Sequence, residues 1–193
     1  MNSRCRLRRI IHERQTSSTT LQDTSIVQQW NVQCTCIQQW QHLQVLYMPG
    51  LAQYQRDTSD SPSPDNPSSY PEDWDLLLPS SIPTMKRQIC IEGLPQIEER
   101  LQTAQCHDAL ESIRHILRIK ARMVIFKNKN VRGQYSGTCS HAVIDHVHEH
   151  ARSYANKYRA ARKAILKLSG HRDWENKLWP LLNSDICCYT DPD

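Results

Sequence analysis

An apolar seam over residues 144–168 constrains the fold more than any other feature of this sequence. Its members are Ile144, Val147, Ala151, Tyr154, Tyr158, Ala161, Ile165 and Leu168, which follow one another in steps of 3, 4, 3, 4, 3, 4 and 3. Such a heptad spacing is typical of a helix that packs one face against another helix. Gly170 stands where a glycine commonly ends a helix. The pattern therefore predicts a long α-helix that needs a packing partner to be stable.

A second amphipathic segment precedes the seam and supplies that partner. Pro95 suits the first turn of a helix, where Glu98 and Glu99 also interact favourably with the helix dipole. The apolar stripe that follows consists of Ile97, Leu101, Ala104, Leu110, Ile113, Leu117 and Val124, with Ala109, Ile116 and Met123 beside it. We expect this helix to end near Phe126.

Two features bear on how these helices join. The connection from Lys127 to about Thr138 is short, which predicts an antiparallel hairpin over residues 93–170. The sequence Asp108-x-x-Glu111 resembles a capping box and allows a break or kink near Cys106.

The rest of the chain divides into four segments. The sequence predicts a disordered basic tail over residues 1–24 and an N-terminal helix over residues 25–47. Residues 48–92 predict a Ser/Pro/Asp-rich linker followed by a proline-punctuated strap, and residues 171–193 a short C-terminal helix and tail. The N-terminal stripe consists of Ile26, Trp30, Ile37, Trp40, Leu43 and Tyr47. The C-terminal helix, over residues 173–182, groups Trp174, Leu178, Leu181 and Leu182.

Composition supports this organisation and excludes some classes of protein. Hydrophobic residues make up 38% of the 193 residues, and glycine occurs five times. That apolar share is small for an enzyme built on a sheet buried on both faces, and no Gly-rich phosphate loop is found. The predicted fold class is therefore all-α: a long antiparallel, coiled-coil-like helical hairpin plus an N-terminal helix, with a disordered acidic linker.

Charge is distributed very unevenly along the chain. Residues 57–111 carry 3 basic and 11 acidic side chains, whereas residues 112–167 carry 13 basic and 2 acidic ones. A hairpin with this charge can follow a phosphate backbone without reading sequence. It can equally be a solvated surface, or a surface matched to the chain's own acidic segment. The candidate nucleic-acid-binding residues are Arg118, Arg122, Lys127, Lys129, Arg132, Arg159, Arg162 and Lys163.

Metal and catalytic chemistry find little support in the sequence. His146 and His150 lie one helical turn apart in the group Cys139, His141, His146, His148 and His150, but no third ligand shares their face. Cys34-x-Cys36 is not a CxxC pair, and no GxSxG is found. We expect no metal site, no cofactor, no small-molecule substrate and no catalytic residue.

Several short strings resemble one family in their order and spacing. They are Leu46–Leu51 (LYMPGL), Leu77–Ser81 (LLPSS), Gly93–Glu98 (GLPQIE), Ala104–Leu110 (AQCHDAL), Phe126–Gln134 (FKNKNVRGQ), Tyr158–Arg162 (YRAAR) and Asp173–Glu175 (DWE). Across about residues 26–185 they resemble segments of the Kyakuja-Dileera-Zisupton (KDZ) transposases of fungi.

The resemblance implies a transposase-derived protein that lacks the catalytic part. KDZ transposases are large cut-and-paste enzymes with an RNase H-like core, and this chain resembles only the helical region after that core. No catalytic residue is carried over. The expectation is an inactive fragment or remnant that contacts DNA non-specifically or a partner subunit, in the nucleus. The alternative is a structural coiled-coil module that binds proteins or itself and has no nucleic-acid role.

Overall fold

The protein is all-α in a computed structural model that describes residues 20–58 and 77–187. Its α-helices in those ranges are α1 (Thr20–Tyr47), α2 (Leu51–Thr58), α3 (Leu94–Asn130) and α4 (Gln134–Ser169). Short 3₁₀ helices cover Pro79–Ser81, Thr84–Ile89 and Asp173–Asn176, and no strand occurs in the described ranges. The predicted fold class is confirmed. The disordered basic tail predicted over residues 1–24 lies outside the described residues up to residue 19, and its last five residues, 20–24, belong to α1 instead. The linker at 59–76 also lies outside the described residues.

The chain divides into two units, Met1–Leu94 and Pro95–Asp193. The first unit has a small core at the end of α1, where Met48, Leu51 and Ile82 are at most 5% exposed. The backbone N–H of Ile91 donates to the carbonyl of Tyr47 (3.0 Å), which brings the later chain back to α1.

Two sequence expectations for this unit change. The range 48–92, predicted as linker and strap, contains α2 and two 3₁₀ helices, because Leu51 and Ile82 find a common core. In α1, the predicted apolar stripe includes Leu43 and Tyr47, but these side chains are 55% and 49% exposed. The stripe after Ile37 passes instead through Gln44, whose amide donates to the carbonyl of Leu77.

The second unit is the predicted hairpin. Helices α3 and α4 have 37 and 36 residues, and at about 1.5 Å per residue each is about 55 Å long. Only residues 131–133 connect them, and Gly133 has φ 92°, a conformation that glycine adopts without strain. At the other end of α4, Gly170 (φ 67°) donates its N–H to the carbonyl of Leu166, as predicted for a helix-ending glycine.

The seam predicted for α4 is confirmed at most of its positions. Tyr158, Ala161 and Ile165 are at most 1% exposed and form one cluster with Cys106 of α3. The sequence pattern missed Ala155, which is fully buried. Small side chains at this and neighbouring seam positions let the two helix backbones approach closely.

The predictions for α3 need three corrections. The helix ends at Asn130, one turn beyond the predicted end near Phe126. The helix runs without a break past Cys106, so Asp108 and Glu111 do not form a capping box; both lie exposed on the face away from the buried Cys106. The stripe also begins later than expected. Ile97 and Leu101 are 54% and 65% exposed, and Ala104 is exposed as well.

The C-terminal segment, residues 171–187, is not the predicted helix. Only Asp173–Asn176 forms a 3₁₀ turn, and the chain then continues irregularly because Pro180 cannot supply a helical N–H. This path buries Leu178 (2% exposed) in the cluster of Tyr158 and Ile165. Further along, Ile186 (6% exposed) packs in the cluster of Ile113 and Ala151. None of the helices in the described ranges has the length and hydropathy of a membrane span.

Candidate nucleic-acid interface

The end of the hairpin near its turn, residues 112–144, contains no acidic residue. Its basic residues are Arg114, Arg118, Lys120, Arg122, Lys127, Lys129 and Arg132. Arg118, Arg122, Lys129 and Arg132 are all exposed. None of these four forms an ion pair with an acid in the part of the chain that the structure describes. We call this region, residues 112–144, the turn end; these four cations are available to an external anion.

The exposed cations of α3 share one side of the helix. Arg118, Arg122 and Lys129 are separated by 4 and 7 residues, which is close to whole helical turns. They therefore form a stripe that extends over 11 residue steps, about 16 Å along the helix axis. Arg132 follows in the connection between the two helices and is also exposed.

Lys127 and Arg114 are placed differently from these four. The Lys127 side chain is half-buried, and its ammonium lies against Nε2 of His141 across the hairpin. Arg114 pairs with Glu111 at 3.7 Å, and both side chains are largely exposed. Exposed pairs of this kind contribute little to stability.

Two candidate residues have a structural use that the sequence does not reveal. Arg159 donates from Nε to the carbonyl of Leu181 (2.9 Å) and from Nη2 to Oδ1 of Asn183 (2.7 Å). Arg162 donates from Nε to the carbonyl of Leu178 (2.9 Å). Both guanidinium groups therefore hold the C-terminal segment against α4.

The eight candidates consequently do not form one surface. Five of them, Arg118, Arg122, Lys127, Lys129 and Arg132, lie at the turn end. Arg159 and Arg162 are engaged with the C-terminal segment at the opposite end, where Lys163 is exposed. Any polyanion site built from this set is centred on the turn end.

An apolar groove lies between the helices at the turn end, and the sequence analysis missed it. Its volume is ≈ 540 Å³, and it is lined by Ile119, Arg122, Met123, Phe126, Lys127, Cys139, Ser140, Val143 and Ile144. Phe126 is 63% exposed and Val143 51%. We call it the turn-end groove. The signal available in the sequence was the chain's one phenylalanine, placed between Arg122 and Lys129.

The groove exists because the seam is loosely packed near the turn. Among the described residues of α3 after Ile113, none is buried. Of the side chains of α4 before Ala151 that the structure describes, only Ile144 is buried, at 8% exposure. The buried clusters of this unit end at Ile113 and Ala151. Apolar side chains beyond that point remain accessible to a ligand.

Among the histidines near the groove, His148 has a shifted pKa. Burial lowers the pKa of His148 below its usual 6.5, and the nearby charges of Lys120 and Arg152 lower it further, against opposing effects of Glu149 and Asp145. His146 and His150 approach each other at 3.2 Å between their Nε2 atoms. In the described ranges, no group of three or more potential metal ligands is found.

The thiol of Cys106, buried in the hairpin, has low reactivity. Cys106 is fully buried, and this burial raises its pKa to about 11, although the charge of Arg162 lowers it slightly. A thiol with so high a pKa stays protonated near neutral pH and is a poor nucleophile.

The chain was compared with known protein families, curated proteins and solved structures. No protein-family model, no curated protein and no solved structure matches the chain. What the structure defines is an all-α protein whose hairpin has a cationic turn end.

Proposed function

We propose that the protein is a non-catalytic module whose turn end binds nucleic acid through phosphate contacts. This function agrees with the resemblance to the helical region of KDZ transposases, in which such a module would hold DNA or a partner subunit. The observation that carries the proposal is the stretch between Glu111 and Asp145, which has seven basic residues and no acid. Four of these cations are exposed and have no acidic partner in the described part of the chain.

The stripe has suitable dimensions for a phosphate backbone. From Arg118 to Lys129 the stripe extends over 11 residue steps of α3, about 16 Å, whereas phosphates of one DNA strand follow each other every ~3.4 Å along the axis. Arg118, Arg122 and Lys129 can thus meet phosphates along about five nucleotide steps. These contacts fix position and do not read sequence.

Salt dependence of binding tests the proposal. With about four phosphate contacts, the logarithm of the affinity for duplex DNA should fall with a slope of about −3.6 against the logarithm of salt concentration. Between 50 and 200 mM salt, fluorescence anisotropy of a labelled random duplex should report about 100-fold weaker binding. The proposal is contradicted if the duplex does not bind at 50 mM salt, or if its affinity does not change with salt concentration.

Two triple variants with equal loss of charge locate the site. One variant combines Arg118→Ala, Arg122→Ala and Lys129→Ala at the turn end. The control combines Arg152→Ala, Lys163→Ala and Arg172→Ala; Arg152 already pairs with Glu149, and all three residues are exposed outside the turn end. The first variant should lose most of its affinity and the control should lose little. Equal losses would mean that net charge alone attracts the DNA.

A second candidate function is a coiled-coil module for protein–protein interaction. It is favoured by α1, on which Leu43, Val45 and Leu46 are 55%, 60% and 70% exposed. Contiguous exposed apolar side chains are typical of a surface that meets another protein. Sedimentation velocity tests this candidate: self-association that is abolished by Leu46→Glu supports it, and a monomer at every concentration contradicts it.

A further inference from the structure

The turn-end groove combines an apolar surface with cations in a way that phosphate binding alone does not require. A site that contacts only the backbone of a duplex gains nothing from ≈ 540 Å³ of apolar space. Phe126 nevertheless lines this groove with 63% of its surface exposed. Val143, 51% exposed, lines the same groove, and contiguous exposed apolar side chains are typical of a binding surface.

Phe126 lies within the cationic stripe itself. It follows Arg122 by four residues and precedes Lys129 by three, so all three side chains lie on one side of α3. Arg122 and Lys127 also line the groove. An aromatic ring between cations is the combination by which proteins hold single strands: bases stack on the ring while the phosphates meet the charges.

We propose that the turn-end groove binds single-stranded nucleic acid, with a base stacked on Phe126 and the adjacent phosphates on Arg122 and Lys129. This inference rests on the proposed function and specifies its ligand. Bases of a duplex are paired and stacked, so they cannot enter the groove without melting, whereas those of a single strand can. The strand is favoured over an acidic peptide because the site offers a π-face beside exposed cations, and every base can stack on it.

The test compares three ligands of equal length and the same backbone. They are a labelled single strand of mixed sequence, the same strand with abasic positions throughout, and the corresponding duplex. Anisotropy titrations at 50 mM salt should show that the intact strand binds about fivefold or more tightly than the abasic strand. Because both strands carry the same phosphates, this difference reports stacking and not charge.

Variants at two adjacent positions assign the stacking to one ring. Phe126→Ala should remove the advantage of the intact strand over the abasic one, and Phe126→Trp should restore it. Ile125→Ala is the control, since Ile125 is also 51% exposed on α3 but does not line the groove. Because both side chains are exposed, the variants should keep the helical circular dichroism and melting midpoint of the parent.

Each outcome separates this inference from the proposed function. Equal affinity for intact and abasic strands, or equal effects of Phe126→Ala and Ile125→Ala, overturns base stacking while salt-dependent duplex binding still supports the phosphate contacts. Polyglutamate that competes as well as the intact strand also overturns the inference, because the groove then prefers an acidic peptide. Failure of all three oligonucleotides to bind overturns both proposals.

Discussion

The guanidinium of Arg162 donates a hydrogen bond from Nε to the backbone carbonyl of Leu178, at 2.9 Å, and so fastens the C-terminal segment to α4. The same guanidinium lies 3.5 Å from a carboxylate oxygen of Glu175 and 5.3 Å above the ring of Trp174. Its side chain is 17% exposed. A planar cation is suited to this combination of in-plane hydrogen bonds and stacking.

Replacing Arg162 should therefore destabilise the fold. Arg162→Ala leaves the carbonyl of Leu178 without its charged donor, and we expect a loss of about 2 kcal/mol in the free energy of unfolding. Arg162→Lys should recover only part of this loss, because an ammonium does not present several N–H donors in one plane as a guanidinium does. Urea denaturation followed by circular dichroism measures both. Lys163→Ala, at an exposed neighbour, is the matched control and should change little; equal losses would refute the fastening role.

The packing of the hairpin is tested most directly at Ala161. This residue is 1% exposed in the cluster with Cys106 and Ala109. Ala161→Asp buries a carboxylate that has no partner, and a loss of roughly 3–5 kcal/mol is expected. Ala160→Asp adds the same charge at the adjacent exposed position and should leave the thermal midpoint nearly unchanged. A parent-like melting curve for Ala161→Asp would show that α3 and α4 do not pack at this position.

The hairpin itself could be predicted because its pattern is local. Steps of three and four residues determine which face of α4 is buried, and Gly170 marks its end whatever surrounds it. Within α3 the same logic failed at Ile97 and Leu101. Apolar spacing shows which residues share a face but not whether a partner extends far enough to cover that face.

The internal use of Arg159 and Arg162 could not be read from the sequence. Both donate to carbonyls of an irregular segment, and the positions of those carbonyls follow from the tertiary path of the chain, not from residue types. A basic residue on a helix looks the same whether it meets solvent, phosphate or a backbone oxygen. The turn-end groove could not be predicted for a similar reason, because the exposure of Phe126 depends on how closely α3 and α4 pack near the turn and not on its position in a sequence pattern.

Thiol reactivity should distinguish Cys106 from the exposed cysteines. Burial raises the pKa of Cys106 to about 11, so it is neither accessible nor ionised at pH 8. Iodoacetamide should modify Cys139 and Cys36, which are exposed, and leave Cys106 unmodified until denaturant is added. Peptide mapping by mass spectrometry reads each site separately. Modification of Cys106 at the rate of Cys139 in the folded protein would contradict the buried cluster around Tyr158.

The pH dependence of stability should report His148. Because burial and the charges of Lys120 and Arg152 lower its pKa below 6.5, the unfolded chain takes up a proton at this histidine before the folded protein does. The contribution is fully present above pH 6.5 and is lost as the pH falls from there toward the lowered folded pKa, by at most about 1.4 kcal/mol per pH unit.

Urea denaturation at pH 7.5 and pH 5.5 measures this effect. His148→Gln removes the titrating ring, so the variant should lose less stability between the two pH values than the parent does. His107→Gln is the control, because it removes an exposed histidine of α3 and leaves His148 in place. If His148→Gln and the parent lose the same stability on acidification, the proton taken up on unfolding belongs to another group, and the desolvation of His148 beside Lys120 is refuted.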